Sequence, residues 1–350
     1  MSRYLRAAVI VAACLLPAGQ RAHATAPTRL AAIVVTFPGL SAPPDGTMDW
    51  MRSVMAQAGA FYAEQSYGQF ALSSDVLGVY TVPLDATANR TAVATAARQA
   101  AADAGVDLSP YAKFLYVSPA TNSVRGGYGD LTGAWIAVES DYVAVPSLRT
   151  VVHELGHHVL GFLQHAHGLL CTDATPFGST PGATCAVYDY GDSVDVMGGG
   201  WGHANGLLKR QFGWLTDGGA WQARTVTASG DYALAPYAAA EPGVKTLLAK
   251  SKQGFTYALE YRQAVGFDAS IPYGGVSQPN VFGGVLLHLA LNGSELLRMN
   301  PGAASPSFID TPALLVGQSF CDRDGRLAFT VLSASPSGAS VRVRFGHCVP

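Results

Sequence analysis

Five of the nine histidines in this 350-residue chain fall between positions 151 and 167, in VVHELGHHVLGFLQHAH, and Glu154 directly follows the first of them. Imidazole is a common ligand for transition metals, and a carboxylate beside a bound ion is placed to move a proton. His153 and His157 in HELGH are four positions apart. On an α-helix that spacing sets both on one face, where they can share one ion, with Glu154 beside it as candidate general base. Two histidines do not complete a catalytic zinc site, which takes three protein ligands and leaves the fourth position to water. A glutamate from a following helix is one way to supply the third, but the first glutamate after Glu154 is Glu241. The nearer candidates are His165 and His167, reached once Gly161 lets the chain turn back. His158 falls off the ligand face by helix geometry and reads as a packed or surface histidine.

A helix must carry HELGH, and the flanks supply one. Pro146-Ser147 reads as a helix start with Ser147 as N-cap, and Gly161 is placed to end it after roughly fourteen residues. Val151, Val152, Leu155 and Val159 can bury one side while the two histidines face a cleft. Upstream, LAAIVVTF (30–37) reads as a buried strand and MDWMRSVMAQAGAFYAEQSYG as a helix stopping near Gly68. FALSSDVLGVYTVPL reads as a strand or hairpin, ATANRTAVATAARQAAADAG as an alanine-rich helix, and KFLYVSP as a further strand. GGYGDLTGAWIAVES follows as an edge strand and loop. The order β, α, β, α, β predicts an α/β layer fold. From about residue 225 no convincing helix remains, and short β-rich runs predict an all-β, sandwich-like C-terminal domain. The expected organisation is a signal peptide over 1–24, an α/β domain over 25–229 and a β-sandwich over 230–350.

Hydrophobic residues make up 49% and charged residues 13%, which argues against disorder, while 39 glycines and 20 prolines disfavour a helical bundle. A net charge of −2 without any lysine or arginine cluster gives no footprint for nucleic acid or an anionic membrane. The opening arginines, the apolar run Ala7 to Leu16 and Ala22-His23-Ala24 read as a secretory signal cut after Ala24. No later run reaches the ~20 apolar residues of a spanning helix. The expectation is a secreted or periplasmic monomer, the rival being a lipid anchor on Cys14 of Val11-Ala12-Ala13-Cys14. Without Cys14, four cysteines remain, and the local pairings Cys171–Cys185 and Cys321–Cys348 are expected in an oxidising compartment. Asp322, Asp324 and Gly325 look calcium-like but lack the rest of a calcium loop; they read as a turn, and calcium is not expected. Glu260 and Arg262 read as a surface or interdomain pair.

Further along, YDYGDSVDVMGGGWG (188–202) places Met197 in a glycine-bounded stretch where a turn can set its thioether beneath the ligands. H-E-x-x-H, then glycine, then histidine, then a methionine turn is the order of the metzincin pattern. The chain resembles the gametolysin-like secreted zinc metallopeptidases of the metzincin clan, over most of the sequence after the signal. FYAEQSYGQFALSSDVLGVYTVP, HELGH with LGFLQHAHGLLC, YGDSVDVMG and KRQFGWL carry the likeness in the first half. FTYALEYRQAVGFD and ALLVGQSF carry it in the second.

The resemblance implies a catalytic domain with a mixed sheet and an active-site helix, one catalytic Zn2+, and a protein or peptide substrate. Peptide bonds of extracellular proteins would be hydrolysed through a zinc-activated water with Glu154 as general base, Met197 being structural. Aligning LQHAHGLLC by its histidine and cysteine makes His165 the third ligand, with His167 as the alternative. The family pattern sets the glycine seven residues and the third ligand ten residues after the first histidine. Here Gly161 and His165 lie eight and twelve after His153. That longer turn supports a rival expectation, an exported non-catalytic binding protein that keeps the fold and misplaces the third ligand.

Overall fold

The computed structural model describes residues 26–40, 45–138, 147–162, 164–171, 185–271, 280–291, 293–299, 313–322 and 325–346. The calls on the signal peptide 1–24 and on Cys14 lie outside these residues. The first half is built from β1 (Thr28–Thr36), α1 (Thr47–Gln65), β2 (Leu72–Thr81), α2 (Arg90–Asp103), β3 (Lys113–Pro119), β4 (Gly127–Asp130), β5 (Gly133–Val138) and α3 (Leu148–Leu160). Its strands form one sheet in the order β2-β1-β3-β5-β4, with β4 antiparallel at the edge and the others parallel. The sheet is thus mixed. β1 is apolar on both sides because both sides are covered. Leu30, Ala32 and Val34 share a core with α1 and α3, whereas Ala31, Ile33 and Val35 share one with α2. FALSSDVLGVYTVPL forms the single strand β2 rather than a hairpin, and GGYGDLTGAWIAV forms the β4–β5 hairpin.

The second half contains β6 (Ala166–Cys171), β7 (Cys185–Tyr188), α4 (Gly206–Gln211), β8 (Trp221–Val226), β9 (Gly230–Leu234), β10 (Gly243–Lys250) and β11 (Thr256–Glu260). It continues through β12 (Gly284–Ala290), β13 (Ser294–Leu297), β14 (Ala313–Leu315), β15 (Ser319–Asp322), β16 (Leu327–Ser335) and β17 (Gly338–Phe345). Beyond residue 225 the described residues hold no helix longer than a 3-10 segment, Gly266–Ser270. One sheet runs β7-β6-β13-β12-β11-β10-β8 with β14 on β12, and a smaller one runs β15-β16-β17-β9. The two face each other across a shared core: Leu247, Tyr257, Leu259 and Leu287 on one side, Phe329, Val331, Val341 and Val343 on the other. An α/β half followed by a β-rich half is therefore what the chain forms.

Residue 230 does not mark a break in hydrogen bonding. β6 pairs in parallel with β13, from Ala166↔Ser294 to Leu169↔Leu297, and β8 pairs with β10. Strands from both sides of that position share the larger sheet. Its second face also packs on residues that precede position 230, with Val194 in one cluster with Leu286 and Leu296, and Tyr67 of the first half in another with Leu248 and Ala258. Glu260 and Arg262 are wholly buried here, Glu260 accepting from the Gly206 N–H and Arg262 donating to the His203 carbonyl, so they are not a surface pair. Cys185 and Cys321 are each disulfide-bonded. Cys171 faces Cys185 in the β6–β7 register, but its side chain, and all of Cys348, lie outside the described residues. No described helix is long and apolar enough to cross a membrane.

Candidate metal centre

Local sequence sets the ends of α3 where they were expected. The Ser147 side chain accepts a hydrogen bond from the Thr150 N–H, and Gly161 closes the helix at φ 72, a left-handed conformation that glycine adopts without a Cβ penalty. The Gly161 N–H then bonds the His157 carbonyl and the Phe162 N–H bonds that of Gly156. This closing turn points Phe162 inward, and its ring packs edge-on against Phe212 at 4.3 Å.

The side chains of His153, His157 and His165 converge, with one ligand atom from each lying within 4.8 Å of the others. His167 does not join them; its ring centre is 6.4 Å from that of His165, and its Nδ1 lies 3.2 Å from Asp189 Oδ1. The longer turn thus brings a third imidazole beside the other two. Each of the three rings has an oxygen at Nδ1. His153 donates to the Val196 carbonyl at 2.7 Å, His157 makes a short bond to the Phe162 carbonyl, and His165 lies 3.4 Å from Asp189 Oδ1. A proton held on Nδ1 leaves Nε2 as a lone pair for an ion. Burial pushes His153 down to about 4 and lowers His157 and His165 as well, so all three are neutral at pH 7.

Met197 is wholly buried beneath this helix. A Cβ built on Gly156, inside HELGH, would come 2.5 Å from the Met197 sulfur, so the glycine is what lets the thioether sit against the helix. The turn that carries Met197 is tied on both sides. Asp195 accepts from the Met197 N–H at 2.7 Å and the Asn205 N–H at 2.6 Å, while Arg149 donates to the carbonyls of Gly198 and Gly200 at 2.6 and 2.8 Å.

Glu154 lies under the edge strand. A Cβ on Gly127 would collide with its carboxylate and one on Gly129 with its backbone carbonyl, so the two glycines allow β4 to press onto α3. Burial pushes the Glu154 carboxyl up to about 7, against the opposing pull of Arg149. An open cleft of about 300 Å³ runs along β4 and is lined by Glu154, the three histidines, Phe162 and Tyr190.

His158 is the packed histidine that its position implied: it accepts from the Phe114 N–H at 3.1 Å and its Nδ1 lies 3.0 Å from the Asp130 carbonyl, joining α3 to β3 and β4. Asp322 takes hydrogen bonds from the Tyr257 hydroxyl and the Gly325 N–H, which fits the turn reading; Asp324 lies outside the described residues. Asp189 and Tyr190 had no place in the expected site. The Tyr190 ring lies 3.8 Å from that of His165. The only signal for them was their place in the YDYGD run that precedes Met197. No protein-family model matches the chain, and no curated protein matches it.

Proposed function

We propose that the chain is an exported zinc-dependent endopeptidase of metzincin-like build that cleaves peptide bonds of extracellular proteins. The observation that carries this reading is the convergence of three neutral imidazoles beside a buried carboxylate, in a cleft bordered by a sheet edge. The donor set fits the ion: three nitrogen ligands with oxygen partners behind each ring is the arrangement of catalytic zinc sites. His153, His157 and His165 would hold it. Zinc so bound supplies Lewis acidity, activating water near neutral pH and polarising the carbonyl to be attacked.

The chain's own residues supply the rest. Glu154, with its carboxyl near 7, is suited to accept a proton from the attacking water and to return it to the leaving amine at the same pH. Gly127 and Gly129 keep that carboxylate covered by backbone alone. β4, the last strand of its sheet among the described residues, offers main-chain groups to which an extended peptide can add.

Metal analysis with proteolysis tests the reading. The expected result is about one zinc per chain, bound by three protein ligands, with chelator-sensitive hydrolysis of casein. His165→Ala should lose the metal and His167→Ala should keep it. Glu154→Ala should retain zinc and lose activity by ~10²–10⁴-fold. A parent protein without zinc, or a Glu154→Ala protein that cleaves like the parent, overturns it.

A further inference from the structure

We propose that Asp189 and Tyr190 form a clamp that holds His165 as the third metal ligand, and that the left-handed backbone of Tyr190 is retained for that purpose. This inference rests on the reading of the three histidines as one metal centre.

The three ligands are not held alike. His153 and His157 sit on α3, and their Nδ1 atoms meet buried backbone carbonyls. His165 comes from the loop after the helix, its side chain is 26% exposed, and its Nδ1 partner is the carboxylate of Asp189 at 3.4 Å, itself 67% exposed. The same oxygen lies 3.2 Å from His167. A shared, solvated carboxylate at that distance orients an imidazole weakly.

The missing restraint is a ring. Tyr190 lies across His165 with ring centres 3.8 Å apart and planes tilted by 32°. It also reaches His153, at 5.8 Å and 29°. Such stacking fixes the plane of the ligand ring while leaving Nε2 free. Tyr190 does this from φ 55, a conformation that costs a bulky residue on the order of 1–2 kcal/mol and persists where surrounding structure or function demands it. The Tyr190 N–H bonds the Asp189 carboxylate at 3.1 Å, so the two halves of the clamp are fixed to each other. The residue remains 44% exposed, which makes core packing a poor reason for the strain.

The test compares parent, Tyr190→Phe, Tyr190→Gly and Asp189→Ala by zinc affinity in chelator competition, melting temperature without metal, and the visible spectrum after cobalt(II) loading. Tyr190→Phe should match the parent in all three. Tyr190→Gly should bind zinc ~10–100-fold more weakly, with a shifted cobalt spectrum. Its metal-free melting temperature should hold or rise, because glycine takes this φ freely. Asp189→Ala should weaken zinc on the order of 10-fold. Parent affinity in Tyr190→Gly or in Asp189→Ala overturns the clamp, as does a Tyr190→Gly protein whose metal-free stability falls along with its affinity. Tyr190→Phe as weak as Tyr190→Gly would assign the role to the hydroxyl and overturn the ring. A parent that binds no zinc overturns the metal centre and the clamp together, whereas a zinc-binding parent matched by its variants overturns the clamp alone.

Discussion

Around HELGH, two buried imidazoles, the half-buried ring of His165 and a buried carboxylate are only weakly compensated, by Asp189 at 3.4 Å from His165 and by the more distant Arg149, and burial pushes every one toward its neutral form. At the junction of the two halves, Glu260, Arg262, Asp268, His288 and Asp192 are buried more completely, yet each finds an opposite charge. Arg262 reaches Glu260 at 2.7 Å and Asp268 at 3.1 Å, and His288 reaches Asp192 at 2.9 Å. There, burial pushes Asp192 and Asp268 up and His288 down, but the charged neighbours outweigh it: the two aspartates are lowered and His288 is raised. The comparison shows what burial is for in each place. A compensated network closes on itself and holds distant segments together; a weakly compensated one leaves lone pairs directed toward a cleft, where they could hold a metal ion.

The two clusters should therefore break in different ways. Glu154→Ala, which removes a carboxylate without a hydrogen-bond partner among the described residues, carries the largest expected effect, ~10²–10⁴-fold on hydrolysis. Its metal-free stability should hold, as thermal unfolding would check. Glu260→Ala comes next. It leaves Arg262 in the interior with Asp268 as its remaining carboxylate partner and removes the acceptor of the Gly206 N–H, at an expected cost of about 3–5 kcal/mol in urea unfolding. By contrast His157→Ala should abolish zinc binding with a smaller loss of metal-free stability. Equal losses in these two variants would erase the distinction between the clusters.

A third test uses pH on metal-free protein. His288 is raised in the folded state by Glu260 and Asp192, against burial and Arg262, so its stabilising share is complete below about pH 6.5 and is lost as pH rises through the raised value. Asp192 is lowered, so its share is present above about pH 3.9 and is lost on acidification. Asp195, which burial and the Asp192 charge push up to about 7, acts in the same direction as His288, its contribution falling as pH climbs toward 7. The stability difference between parent and His288→Gln should therefore shrink as pH rises above about 6.5; a difference that grows instead would contradict the pairing. The smallest effect expected is at Gly156. Alanine in a helix interior ordinarily gains about 1 kcal/mol over glycine, but contact with Met197 and Phe162 should reverse the sign, to a net loss of about 1 kcal/mol.

Much of the first half was legible because its signals are local. Helical spacing put His153 and His157 on one face, Ser147 and Gly161 capped their helix, and β-branched runs marked β1 and β3. The short elements β6, β7 and α4 were not legible, since four to six residues carry too little periodicity to stand out. Glu260 and Arg262 looked like an alternating outward pair because nothing near them in the chain reports the layer that covers them.

The amino-acid order alone determined the motif, its helix and the placing of a methionine turn downstream, because backbone geometry and capping act within a few residues. Only the tertiary structure set His165 rather than His167 beside His153 and His157, joined β6 to β13 across more than a hundred residues, and put Tyr190 over His165. Those outcomes depend on contacts between distant segments, whose register and packing no local spacing encodes.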